Sequence, residues 1–215
     1  VKWRKATNVL RLKVLMSLQK RADDTPELKI KETFKKVYQE GHLFESIDDN
    51  LQAVYAESPT ANQNPLQSDT QTKSNDPYWA ASKMLTVPFK EYKDIRIFYY
   101  FAPAQALTEQ YYYDKAKESG AIPSTQPLLT ASDFDAYNGM DVAAVLSDEL
   151  PMYHNFLHSR TNEIYRWSYA GVPAIRLGYA DMNIVLAEAA ERGWIDASAK
   201  QFYDKAVKAS FDFIK

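Results

Sequence analysis

Cysteine is absent from all 215 residues, which excludes both a disulfide framework and a thiolate metal centre within them. Glycine is scarce, at six residues, and no apolar run approaches the length that crosses a bilayer as a helix. Neither sign of charge dominates: 26 Lys and Arg face 28 Asp and Glu, for a formal net charge of -2. Affinity for nucleic acid rests on clustered cations, so the charge balance gives no reason to expect that partner. With 46% hydrophobic and 25% charged residues, the composition is that of a globular chain able to bury a core, which excludes disorder of the whole.

Aromatic residues are abundant: 15 Tyr, 10 Phe and 4 Trp. Rings of this kind mostly fill cores. The excess of Tyr over Phe still carries information, because a phenol tolerates a half-exposed position at a recognition surface.

The clearest local pattern lies near the C-terminal end. Tyr179, Met182, Leu186, Ala189, Ala190 and Gly193 recur at steps of three and four, which places them on one face of a buried helix. Gly193 suits the left-handed residue that ends such a helix, and Ser198 with Gln201 has the spacing of a capping box opening the next. In that second arm Ala199, Tyr203 and Ala206 follow the small, aromatic, small spacing of a tetratricopeptide repeat, with Tyr203 expected to fill the gap between the helices.

A second hairpin is expected at the other end. Trp3, Ala6, Leu10, Val14 and Leu18 form an apolar stripe at helical spacing, with Lys2, Lys5, Lys13 and Lys20 largely off it. Thr25 and Pro26 mark a new start, and Ile30, Phe34, Val37 and Tyr38 give the apolar face of a helix stopped by Gly41. Between the hairpins the periodicity weakens. Residues 58–77 are rich in Ser, Thr, Asn, Gln and Pro, the composition of a long polar loop. Lys83 to Pro88 begins a return to structure, and the β-prone Ile97 to Phe101 predicts a strand. Ala104 to Ala116 predicts a helix, Ala121 to Asn138 a loop, and Val142 to Glu149 a helix stopped by Pro151, with Met152 to Leu157 forming another.

Two stretches resemble the SusD/RagB family, and in particular its SusD-like 2 branch. The C-terminal stretch matches the branch's Tyr and acidic residue opening a helix that reads LAEAA-x-RGW, followed by KAS-F, through Tyr179, Asp181, Leu186 to Ala190, Arg192 to Trp194 and Lys208 to Phe211. Asp181 stands where the family more often has Glu. The N-terminal stretch resembles W-x-K-x-x-N-x-L-R-L-x-x-x-M through Trp3, Lys5, Asn8, Leu10, Arg11, Leu12 and Met16. Asp48, Asp49 and Asn50 lie where the family has a loop after this hairpin. Asp94, Ile95 and Arg96 replace its Asp-Pro-Arg.

The fold expected is mainly α-helical, with tetratricopeptide-like hairpins at 1–41 and 176–215 and a loop-rich insertion with short helices at 42–175. All three would be part of a single SusD-like domain. The chain is read as a central to C-terminal piece of a longer protein. The resemblance implies a cell-surface lipoprotein of the Bacteroidetes outer membrane, with its secretion signal and lipid-bearing cysteine ahead of this stretch. Its implied function is non-enzymatic binding of an oligosaccharide and its delivery to a SusC-like TonB-dependent transporter, with no cofactor.

No catalytic motif is present. His154 and His158 have the spacing at which two imidazoles share a metal on one helix face, but Asn155 stands in place of a glutamate and no third ligand is indicated. Surface or capping roles are favoured over a metal. Asp48, Asp49 and Asn50 lack the spacing and glycine of a calcium loop and read as turn residues. Acid pairs such as Asp148 with Glu149, or Asp133 with Asp135, occur in any such chain. Glu188 reads as a packing or capping contact.

A sugar ring has an apolar C–H face and a polar rim, so its site needs flat rings beside hydroxyl, amide or guanidinium groups. The ligand-binding candidates are therefore Tyr78, Trp79, Tyr112, Tyr165, Trp167 and Arg166, with Arg96, Asn138 and Asn162 as further rim donors. In the run Tyr111 to Tyr113, helical geometry cannot aim all three rings at the core, so at least one is exposed. Core packing stays open for each ring taken singly. Two other functions remain in view: a tetratricopeptide-type scaffold for a protein or peptide, which the polar insertion disfavours, and a helical glycan hydrolase with two carboxylates across a cleft.

Overall fold

The structure is a computed structural model and describes residues 2–57, 61–67, 80–165 and 167–214. Helices α1 (Lys2–Ser17) and α2 (Ile30–Glu40) precede strand β1 (Leu51–Ala53). Then come α3 (Lys83–Glu91), α4 (Ile97–Tyr100), β2 (Phe101–Ala102), α5 (Gln105–Thr108), α6 (Gln110–Glu118), α7 (Leu146–His154) and β3 (Arg160–Thr161). Strand β4 (Ala174–Leu177) leads into α8 (Tyr179–Glu191) and α9 (Ala199–Asp212). The architecture is mainly helical. Two compact units are formed, one from Val1–Val54 with Pro173–Lys215 and the other from Tyr55–Val172.

The first unit contains both hairpins around one core. Val9, Leu12 and Met16 of α1 meet Ile30, Phe34 and Val37 of α2 and Met182, Leu186 and Ala189 of α8. Phe34 is wholly buried and meets Trp194 edge to face, with ring centroids 5.5 Å apart. Full burial of a side chain of this size contributes about 1.5–3 kcal/mol through its removal from water. Ala206 and Ala209 give α9 a buried face of small residues. Helix α8 ends as its sequence predicts: Gly193 has φ +70, its N–H donates to the Ala190 carbonyl at 3.0 Å, and the Trp194 N–H donates to Ala189 at 2.8 Å. The Ser198 hydroxyl accepts from the Gln201 N–H at the start of α9.

The face of α1 differs from the expected stripe. Trp3, Leu10, Val14 and Leu18 are exposed, Trp3 by 76%, while the buried face also includes Lys5 and Asn8. Both polar groups have dedicated partners. The Lys5 ammonium lies 2.7 Å from Asp49, and the Asn8 amide donates to the Gly41 carbonyl at 3.0 Å. A polar residue with such a partner can occupy the inner face, which hides that face from a hydrophobicity pattern. Tyr203 is likewise 56% exposed rather than wedged between helices; its neighbour Phe202 packs edge-on to Tyr38 at 6.3 Å.

Asp49 and Asn50 serve the turn expected of them. Asp49 accepts from the Glu45 N–H at 2.9 Å, and Asn50 Oδ1 accepts from the Tyr179 N–H at 2.7 Å, holding the first turn of α8. Strand β1 pairs antiparallel with β4, with Leu51 opposite Leu177 and Ala53 opposite Ala174.

The second unit has two smaller cores, one around Ala104, Leu107, Tyr113 and Ile122 and one around Ala81, Ile97, Phe101 and Tyr137. Its short strands β2 and β3 pair antiparallel, with Phe101 opposite Thr161. Here the local sequence expectations fail in three places. Ile97 to Tyr100 forms a helical turn, because the Asp94 carboxylate accepts from the Arg96 N–H at 3.0 Å and its carbonyl accepts from Ile97 at 3.2 Å, starting a turn that overrides β propensity. The helix expected over 104–116 breaks at Glu109, whose backbone is extended. Pro151 lies inside α7 rather than ending it, and Pro88 lies inside α3; each removes one intrahelical bond without stopping the helix. Within the expected polar loop, residues 61–67 are described, and Asn64 is buried there.

No helix among the described residues is long and apolar enough to cross a membrane.

Candidate functional site

The three consecutive tyrosines divide their roles on α6. Tyr113 is buried and its hydroxyl donates to the Gln126 carbonyl. Tyr111 is exposed, with the Lys115 ammonium 4.3 Å from its ring centroid. Tyr112 is half-buried between them, 5.2 Å from the Tyr111 ring and 4.5 Å from the ring of Phe156.

Tyr112 and Phe156 line a cavity of about 510 Å³, within the size range of small-ligand sites. Lys115, Glu118, Ser119, His154 and Asn155 supply its polar rim. The Ser119 hydroxyl and the Asn155 side-chain oxygen lie 3.3 Å apart. Two rings with donors and acceptors around them form the combination that a sugar requires.

The backbone beneath Phe156 is unusual. Helices α6, α7 and α8 all end in the same turn, closed by two hydrogen bonds from residues just beyond the helix. The left-handed residue of that turn is Gly120 after α6 and Gly193 after α8, with φ of +73 and +70. After α7 it is Phe156, at φ +57. Its N–H donates to Tyr153 at 3.1 Å, and the Leu157 N–H donates to Met152 at 3.0 Å. A bulky residue in this conformation is strained, and such outliers concentrate at functional sites. Sequence reasoning missed Phe156 because it looks for glycine at the end of a helix.

Tyr165 and Trp167 sit on a different feature, the turn that follows β3. Both are half-buried, and neither lines the Tyr112 cavity. Burial and the neighbouring Tyr100 push the Tyr165 phenol above its ordinary pKa, so it stays neutral. The turn is held from a distant part of the chain. The Asn64 amide donates to the Tyr165 carbonyl at 2.9 Å and more weakly to Ser168 at 3.4 Å, while the Asn64 N–H donates to Tyr169 at 2.6 Å. A β-carbon on Gly171, at φ +57, would lie 2.4 Å from the same amide, so only glycine fits there. The candidates Tyr78, Trp79 and Arg166 lie outside the described residues.

The expected rim donors have structural partners. Arg96 forks onto both oxygens of Asp94 and holds that carboxyl below its ordinary range. Asn138 donates to the Leu157 carbonyl at 3.2 Å, and Asn162 donates to Phe98 at 3.3 Å. Glu188 forms an ion pair with Arg192 one turn along α8, at 2.7 Å. His154 and His158 do not share a helix face: α7 ends at His154, which is exposed, while His158 lies beyond it and is buried beside Tyr153 at 5.2 Å.

A family profile described as starch-binding and associating with the outer membrane, SusD-like 2, matches residues 1–214. Two SusD homologs from Bacteroides fragilis NCTC 9343 have similar structures. One has a TM-score of 0.80 and 38% identity, covering 99% of this chain and 40% of its own. The other has a TM-score of 0.72 and 30% identity, covering 99% and 41%. An outer membrane protein of Bacteroides vulgatus ATCC 8482, for which a nutrient-binding role is suggested, has a TM-score of 0.77 and 28% identity, covering 99% and 42%. The chain thus spans about two fifths of the length of these relatives. No curated protein matches it. With the profile matched over nearly every residue and hairpins of the expected kind at both ends, the chain belongs to the SusD/RagB family, in its SusD-like 2 branch.

Proposed function

We propose that this chain is part of a cell-surface lipoprotein of the outer membrane that captures an oligosaccharide and passes it, chemically unchanged, to a SusC-like TonB-dependent transporter. The observation that carries the capture role is the cavity of Tyr112 and Phe156, where a strained backbone keeps a second ring at a position that glycine fills elsewhere. Rings stack on the apolar face of a sugar, and the rim residues Ser119, Asn155 and Glu118 suit its hydroxyls. Tyr165 and Trp167, on their clamped turn, would add a second contact surface for a longer chain; Arg166, Tyr78 and Trp79 stay ligand-binding candidates on their residue types alone.

Catalysis is not needed for this task, because the sugar is passed on chemically unchanged.

Calorimetry of the full-length protein against plant, host and microbial oligosaccharides, uncharged and acidic, with product analysis of the same mixtures, tests the reading. Saturable binding without products, weakened about tenfold by Tyr112→Ala, is the expected result. Failure of every glycan to bind would refute capture, and released products would refute the non-enzymatic role. Co-purification with an outer-membrane barrel tests delivery.

A further inference from the structure

A second cleft of about 450 Å³ lies in the Tyr55–Val172 unit, and its chemistry differs from that of the first. One wall is the face of α3 that carries Lys83, Val87 and Lys90, spaced at four and three residues so that they lie along one side of the helix. The opposite wall is the segment from Tyr137 to Gly139, and Met152 of α7 adds an apolar patch. Lys93 enters from the turn after α3. Three lysines therefore line the cleft with two acidic residues, Glu91 and Asp135, an excess of positive charge in a chain whose formal net charge is -2.

We propose that this cleft binds the carboxylate or sulfate of an anionic saccharide. The assignment rests on the glycan-capture reading above. Two observations set these lysines apart from ordinary surface cations. First, Lys93 occupies the left-handed position at the end of α3, φ +53, with the Asp94 N–H donating to Phe89 at 2.9 Å and its own N–H to Lys90 at 3.3 Å. This is the turn that Gly120 and Gly193 make for α6 and α8, so a lysine stands where glycine would cost less. Among α3, α6, α7 and α8, the two helices that end this way on a side chain are α3 and α7, and each of those side chains lines a cavity. The Lys93 ammonium is steadied 5.0 Å from the Phe134 ring centroid.

Second, Lys90 is oriented but not saturated. Its ammonium lies 3.5 Å from both Asp135 Oδ1 and Asn138 Oδ1, long contacts for a group with three donors. The side chain of Asp135 is 81% exposed, so water weakens its hold. Tyr137, in the opposite wall, adds no opposing charge: its hydroxyl donates to the Ala131 carbonyl at 2.8 Å, and burial pushes its pKa up to about 12. A β-carbon on Gly139 would lie 2.3 Å from the Lys83 backbone nitrogen, so glycine lets the two walls close together.

The test is calorimetry of the full-length protein with uncharged, uronic-acid and sulfated oligosaccharides of equal length, at low and at high salt. At low salt, at least one acidic sugar should bind about tenfold or more tightly than its uncharged counterpart, and the advantage should shrink as salt rises. Which acidic sugar binds identifies the anion. Lys83→Gln and Lys93→Gln should each weaken acidic binding about tenfold and change uncharged binding less than twofold. Asp135→Asn should strengthen acidic binding, which keeps the test informative if a lysine variant misfolds. Equal binding of charged and uncharged sugars, or acidic binding indifferent to all three substitutions, overturns the cleft and leaves glycan capture standing. If no sugar of any kind binds, both fail.

Discussion

Phe156 ends α7 with the same left-handed turn and the same pair of backbone hydrogen bonds with which Gly193 ends α8. Side chains in this conformation cost about 1 kcal/mol or more, and glycine does not bear that cost. Replacing Phe156 by Ala removes the ring and keeps the backbone cost, whereas Gly removes both. Phe156→Gly should therefore be more stable than Phe156→Ala by about 1 kcal/mol, the reverse of the order at most positions. Urea midpoints of the two variants check this, and equal midpoints would argue against backbone strain. Both variants should bind uncharged glycan more weakly than the parent protein.

Tyr112 allows stacking to be separated from hydrogen bonding. Tyr112→Phe keeps the ring against Phe156 and should stay within about threefold of the parent affinity, whereas Tyr112→Ala should lose about tenfold. A large loss in the Phe variant would shift the main contact from the ring to the hydroxyl.

The turn carrying Tyr165 and Trp167 depends on Asn64, about a hundred residues away in sequence. Asn64→Ala leaves the Tyr165 and Ser168 carbonyls without this donor in a partly buried setting, at a cost of about 1–3 kcal/mol. Gly171→Ala should be at least as damaging, because the added carbon strikes the Asn64 amide and φ is +57. Thermal melts give the stability change. Proteolysis after residue 160 should appear in both variants if the turn loosens.

His158 should make stability depend on pH below neutrality. Its ring is buried, and neither nitrogen has a well-formed hydrogen bond. Burial foremost lowers its pKa below 6.5; a backbone group of Met152 opposes this in part, and Arg160 adds a smaller lowering. Because the unfolded state then binds the proton more readily, this contribution is complete above about pH 6.5 and is lost as pH falls toward the lowered folded value. Urea unfolding at pH 7.5, 6.5 and 5.5 should show the parent weakening across the range. His158→Phe, which keeps a ring without a titratable group, should weaken less, and parallel curves would exclude His158 as the cause.

Much of the helical frame was legible because its signals are local. Gly193, Ser198 and the Phe34 face of α2 each state their role within a few residues. The buried face of α1 was not legible, since Lys5 and Asn8 go inside only by virtue of Asp49 and Gly41, partners more than thirty residues away. The strand expected at Ile97 became a turn because Asp94 caps it and Ile97 finds a core. At the candidate site, the run Tyr111 to Tyr113 promised at least one exposed ring, which is Tyr111, and Tyr112 was named as a ligand candidate. Phe156 and Lys93 were not, because neither residue type announces a left-handed helix end.

The pairing of β1 with β4 also bears on how this protein can diversify. Tyr55–Val172 leaves the first unit just after β1 and returns just before β4, and paired strands run about 5 Å apart. Topologically, the whole of it is an enlarged hairpin loop. A replacement segment of any length needs only two joints one strand spacing apart to leave the host core closed. The fold is thus arranged as a fixed socket with an exchangeable cassette, and recombination at these joints could change the ligand without redesigning the scaffold.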